Sequence, residues 1–191
     1  PNIWVGAKID GTLLEPQFDE TGMHLVTDNY PKIINSANTN LIDTAAVEVF
    51  KCISFENTNA SRNGFLINNN FSESKNISFI GCYGAITPNG TSSTIFQVWG
   101  GTALMCEAVM NGTNYNAIIH AGGTNQSAVI NCRLYGGGKS GSGNGRGIEL
   151  GTLNDSVVET LIYNVHGNAI YDGNSNDRNS NMINCTVISV G

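Results

Sequence analysis

Hydrophobic positions in this chain come in short bursts, rich in Val, Ile and Phe and punctuated every few residues by Gly, Asn or Ser. Apolar residues at helical spacing are hard to find, while alternation at period two is common. The pattern therefore predicts many short β-strands. One burst recurs as a phrase. SAVINCRLYG, at Ser127–Gly136, has a near copy in NSNMINCTVIS, and VEVFKCIS, SFIGCYGA and TALMCEAV echo it. Every cysteine of the chain sits in one of these phrases, at Cys52, Cys82, Cys106, Cys132 and Cys185. VVETLIYN adds a further copy with Thr160 at the cysteine position, and the six phrases then repeat every 24 to 30 residues.

Aligned this way, the position two before the cysteine holds Phe50, Ile80, Leu104, Ile130, Val158 and Ile183. The position two after it holds Ser54, Gly84, Ala108, Leu134, Ile162 and Val187. Both columns are apolar or small. The intervening Lys51, Gly81, Met105, Asn131, Glu159 and Asn184 are mixed, so alternation places them outside. On this reading Ile130→Asn is severe and Asn131→Ser is mild. One column resists alternation: Val49, Phe79, Ala103, Val129, Val157 and Met182, three before the cysteine, are all apolar. Either the strand bends there and turns them inward, or a neighbouring subunit covers them.

A second phrase follows each first one: GFLIN, TIFQVWG, NAIIHAG, RGIELG and NAIYDG. Strand, turn, strand, turn at a fixed period, with like residues in line, predicts a parallel β-helix of about six coils in which each repeat stacks on the last. Cysteine suits an internal ladder because it is small, apolar and readily buried. Neighbouring coils lie about 4.8 Å apart with parallel side chains, beyond the Cβ separation a disulfide needs, so five free, reduced thiols are expected. No metal site and no cofactor are expected, because the cysteines are too widely spaced for paired ligands. Residues 1–44 do not fit the repeat. They are expected to form an irregular opening coil and cap, with the β-helix over 45–191 and continuing beyond, or capped by a partner at, its C-terminal end.

Charge adds exclusions. With 9 basic against 15 acidic residues the net charge is −6, which offers no footprint for nucleic acid. No apolar run approaches the roughly 20 residues of a membrane-spanning helix, so no membrane insertion is expected.

With Asn beside the cysteine in INCRL and INCTV and Gly-rich turns between coils, the stacked phrases resemble the right-handed parallel β-helix of the pectin-lyase-like superfamily. Within it they are most similar to the tailspike and fibre proteins of bacteriophages. The resemblance covers roughly 45–191. It implies a homotrimer at the surface of a virion, in contact with other virion proteins, that binds or cleaves a bacterial surface polysaccharide. The fold carries many activities, so the chemistry has to be sought in side chains.

In the second phrase Ile119, Ile148 and Ile170 align inward, which puts His120, Glu149 and Tyr171 on one outward column. A histidine, a carboxylate and a phenol stacked at the coil spacing can bind sugar hydroxyls, supply an acid and a base, or form an ordinary solvated face on which His120 and Glu149 merely pair. Trp99 at the end of FQVWG is either a sugar-stacking platform at the edge of this column or a half-buried corner residue. Asp172 is the candidate second carboxylate for glycosidase chemistry, which needs a separation of about 5 to 9.5 Å from Glu149. Glu107 and Arg133 fall on one outward column of adjacent coils and read as a surface ion pair. GGGKSGSGNGRG lacks the spacing of a phosphate loop and reads as an excursion between strands. His166–Gly167 resembles part of a polygalacturonase motif, without the aspartates and basic residues that accompany it.

Two classes of function follow. The leading expectation is a structural and receptor-binding virion component without chemistry of its own. Its alternative is a polysaccharide hydrolase or lyase using Glu149 and a neighbour. A bacterial surface adhesin is a third expectation. Few acidic residues fall in the aligned columns, which favours binding over catalysis.

Overall fold

The structure, a computed structural model, describes residues 2–37, 39–44, 47–59, 64–69, 76–86, 93–111, 117–122, 126–136, 145–151, 154–165, 167–173 and 180–188. It is an all-β parallel solenoid with three faces. The first sheet stacks β1 (Asn2–Val5), β4 (Glu48–Lys51), β7 (Ile77–Ile80), β10 (Thr102–Leu104), β13 (Ala128–Ile130), β16 (Ser156–Val158) and β19 (Asn181–Ile183). The second stacks β2 (Lys32–Asn35), β5 (Ser54–Asn57), β8 (Tyr83–Ile86), β11 (Glu107–Met110), β14 (Arg133–Tyr135), β17 (Leu161–Tyr163) and β20 (Thr186–Ile188). The third stacks β3 (Ile42–Thr44), β6 (Gly64–Asn69), β9 (Ser93–Trp99), β12 (Ala117–Gly122), β15 (Arg146–Leu150) and β18 (Ile170–Asp172). The first two sheets hold one rung more than the six aligned phrases, because β1 and β2 pair in parallel with β4 and β5.

The recurring phrase is a corner. Between the first and second sheets the chain turns through two residues. The first of them adopts a left-handed backbone, with φ of 57° at Gly81, 51° at Met105, 49° at Asn131, 50° at Glu159 and 52° at Asn184. Asn and Gly tolerate that region better than other residues do, which explains INC. The second corner residue points inward. Cys82, Cys106, Cys132 and Thr160 fill this column, all buried. Each thiol donates to a carbonyl one coil back: Cys82 Sγ to Phe50 O at 3.3 Å, Cys106 Sγ to Phe79 O at 3.4 Å and Cys132 Sγ to Ala103 O at 3.4 Å. Thr160 supports the same ladder by accepting the Cys132 amide at 3.3 Å and donating to Val158 O at 3.0 Å. All five thiols are free. Burial pushes the Cys82 thiol up to about 12 and the Cys106 thiol well above the usual range.

The left-handed residue resets the alternation, and two expectations change with it. The column three before the cysteine is the interior one: Phe79, Ala103, Val129 and Val157 are fully buried, whereas Ile80, Leu104, Ile130 and Val158 are half-exposed on the outer face of the first sheet. The bend therefore accounts for the apolar column that strict alternation left outside. Cys52 is also out of the ladder. Phe50 pairs with Phe79, so Ile53 takes the inward corner beside Cys82, and Cys52, with φ of 52°, takes the left-handed position. It is still buried, beneath the N-terminal segment, among Leu14, Leu25 and Tyr30.

The core is aromatic towards the N-terminal end, where the Phe50, Phe79 and Phe96 rings stack at 5.6 and 4.6 Å, and aliphatic beyond. Gly84 makes room for it, because a Cβ there would lie 2.4 Å from Ile95 Cγ2. The column two after the corner is inward as expected, with Ala108, Leu134 and Ile162 fully buried, and Phe55 rather than Ser54 leads it.

Met105 is one of the corner residues poorly suited to its left-handed backbone. Met105→Asn is expected to raise stability by about 1 kcal/mol, read as a higher midpoint in thermal denaturation. An unchanged or lower midpoint would show that the corner carries no strain.

Candidate functional site

The third sheet brings the sequence-predicted column together. His120 pairs in register with Gln97 and Glu149, and Glu149 with Tyr171. Trp99 is half-buried and meets the His120 ring edge to face, with centroids 6.2 Å apart. Burial lowers the His120 pKa below its ordinary value, against the pull of Glu149, so the ring is neutral at pH 7.

Arg146 changes what the column can do. Its Nη1 lies 2.7 Å from Glu149 Oε1, and its guanidinium sits 3.6 Å above the centre of the Tyr171 ring. Strict alternation puts residues three apart on opposite faces. Here Gly147 and Ile148 are both buried, and a Cβ on Gly147 would lie 2.7 Å from the inward Ile162 side chain. The doubled inward step leaves Arg146 and Glu149 on the same outer face. No alternation rule exposes this; the glycine inside RGIEL was the available signal. With side chains only 14% and 17% exposed, the Arg146–Glu149 pair ties Glu149 down, and one face of Tyr171 is already covered.

Asp172 lies on the rung next to Glu149, one register position along. It pairs in register with Leu150, one column over, and its exposed carboxylate accepts a bond from Ser180 Oγ at 3.3 Å. Behind the column, fully buried Asp155 accepts the Ser127 amide at 2.8 Å, while Ser127 Oγ donates to Val98 O and accepts the Gly100 amide. This network fixes the turn that follows Trp99. Among the described residues no group of three or more His, Cys, Asp or Glu is placed to hold a metal ion. Most of the GGGKSGSGNGRG loop, and His166, lie outside the described residues.

A second feature escaped the sequence reading. Between β1 and β2 the chain leaves the solenoid as a strap, residues 7–31, pinned over the corner between the first and second sheets and along the second sheet. Lys51 Nζ binds Glu15 at 2.7 Å. Pro16 packs on Gly81. Glu107 and Arg133 do not pair with each other as expected; both hold the strap instead. Glu107 accepts the Leu25 amide at 2.5 Å and lies 3.1 Å from His24 Nδ1. Arg133 donates from Nε to Gly22 O at 2.6 Å, and its guanidinium covers Phe18 at 4.3 Å. Tyr135 donates to Met23 O and stacks on His24 at 5.1 Å.

No protein-family model, curated protein or solved structure matches the chain. Its fold is established by its own strand register, and its function has to be argued from these side chains.

Proposed function

We propose that the chain is a structural, glycan-binding element of a virion spike or fibre, presenting the third-sheet column to a bacterial surface polysaccharide without cleaving it. The observation that carries the choice between binding and cleavage is the Arg146–Glu149 contact at 2.7 Å. A general acid or base must be free to reach the reacting oxygen, and the guanidinium holds the Glu149 carboxylate, only 17% exposed, in place against the sheet. Asp172 stands in register with Leu150 rather than with Glu149, and its carboxylate is engaged by Ser180 Oγ at 3.3 Å. His120, Glu149 and the edge of Trp99 still offer donors, acceptors and an aromatic surface on a rigid support, which suits recognition of hydroxyl groups. The half-exposed Ile80, Leu104, Ile130 and Val158 favour the companion proposal of a homotrimer, in which a neighbouring copy lies along the first sheet.

The test is an array of bacterial surface polysaccharides, read for binding and for release of reducing ends. The parent chain is expected to bind at least one polysaccharide and release nothing, and Glu149→Gln to bind about tenfold more weakly. Cleavage by the parent, lost in Glu149→Gln with binding retained, would establish the hydrolase instead. If nothing on the array binds, the column is a solvated face and the chain a purely structural part of its particle.

A further inference from the structure

We infer that the tip of the strap forms a second ligand site, on the second sheet, that takes a neutral, ring-sized polyol such as a pyranose. The strap ends in a tight turn organised by Asp19, whose Oδ1 accepts from Thr21 Oγ1 at 2.7 Å and from the Met23 amide at 3.1 Å. Between this turn and the last two rungs lies a groove of about 370 Å³, lined among others by Arg133, Glu159, Leu161, Thr186 and Ile188. That volume accommodates one sugar ring.

The groups in the groove select the ligand. Arg133 spends Nε on Gly22 O, and Nη1 on Asn131 Oδ1 and Cys132 O, both at 3.1 Å. Nη2 is the one nitrogen with no bond to the described residues. A carboxylate or phosphate takes Arg through a two-pronged fork, and a single remaining nitrogen cannot supply it. A hydroxyl needs only one donor. Glu159, exposed at its left-handed corner, opposes an anion further and accepts hydrogen bonds from hydroxyl groups. Thr186 can do either. Leu161 and the 41% exposed Ile188 provide an apolar floor for the C–H face of a ring. The site is built by chain segments more than a hundred residues apart and exists only while the strap is seated. It lies on a different sheet from the His120 column and does not depend on that reading.

The experiment is an amide-resolved NMR titration of the whole chain with methyl α-D-glucopyranoside, methyl α-D-galactopyranoside and N-acetylglucosamine, with sodium acetate and glycerol in parallel. At least one sugar is expected to saturate at a Kd of about 1 to 10 mM, shifting the Gly22, Met23, Thr186 and Ile188 amides. Glu159→Gln and Ile188→Glu should each raise that Kd about tenfold, and Glu149→Gln should leave it unchanged. The inference is overturned if no sugar gives saturable shifts at those amides, if acetate binds there at least as well, or if glycerol matches the sugars. Shifts confined to His120, Glu149 and Tyr171 would also overturn it while supporting the third-sheet column, so the two proposals fail separately.

Discussion

Val129→Asn is expected to cost about 4 kcal/mol and to lower the unfolding midpoint sharply, whereas Ile130→Asn, one residue on, should cost about 1 kcal/mol. Val129 is fully buried between Ala103 and Val157 in the interior column of the first sheet. The substitution removes about 2 kcal/mol of apolar transfer and leaves an amide without a partner, which adds a further 1 to 3 kcal/mol. Against a total stability of about 5 to 15 kcal/mol this is a large fraction. Ile130 faces outward and is already half-exposed, so its replacement loses only part of that transfer. Asn131→Ser should be the worse of the two outward changes. It places a poorer residue at φ 49° and removes the acceptor of an Arg133 Nη1 bond. Urea unfolding of the three variants measures the order directly. Equal losses for Val129→Asn and Ile130→Asn would mean that the corner does not reset the alternation.

That order reverses what period-two counting gives for the same two residues, and the reversal locates what a sequence can convey about this fold. The stacking of coils was legible because identical small residues recur at one period, and the third-sheet register followed from aligning Ile119, Ile148 and Ile170. The corner was legible only in outline. Asn131 and Asn184 are favourable left-handed residues, but Met105 and Glu159 occupy the same conformation with no such preference, so the column does not announce its backbone. Cys52 misled for a related reason. Its identity matched the ladder, while the Phe50 to Phe79 pairing that sets the register moved it by one position. The strap was not legible at all. Its contacts with Glu107 and Arg133 go largely to backbone groups of residues 22 and 25, and backbone partners leave no residue pattern. Arg146 was hidden by the same device as the corner, a local break in alternation at Gly147.

The strap makes the last prediction. In a solenoid each coil touches only its neighbours, so stability is carried rung by rung. Residues 7–31 break that rule by tying the first rung to β8, β11 and β14 through one side of the stack. Glu107 is the central tie: its side chain is 6% exposed, and its two carboxylate oxygens take the Leu25 amide and His24 Nδ1. Glu107→Ala leaves the buried Leu25 N–H without an acceptor, at a cost of about 2 to 3 kcal/mol, and is expected to free the strap before the stack melts. Glu107→Gln keeps an oxygen for that amide and loses only the charge, so its cost should be about half. Hydrogen exchange at the Leu25 amide and limited proteolysis within residues 7–31 separate local release from global unfolding. Release predicts fast exchange and early cleavage there while the Val129 and Ile162 amides stay protected. Protection at Leu25 that matches the parent in Glu107→Ala would mean that the strap is held by its apolar contacts, Leu14, Leu25 and Tyr30 on Cys52, and that Glu107 contributes little.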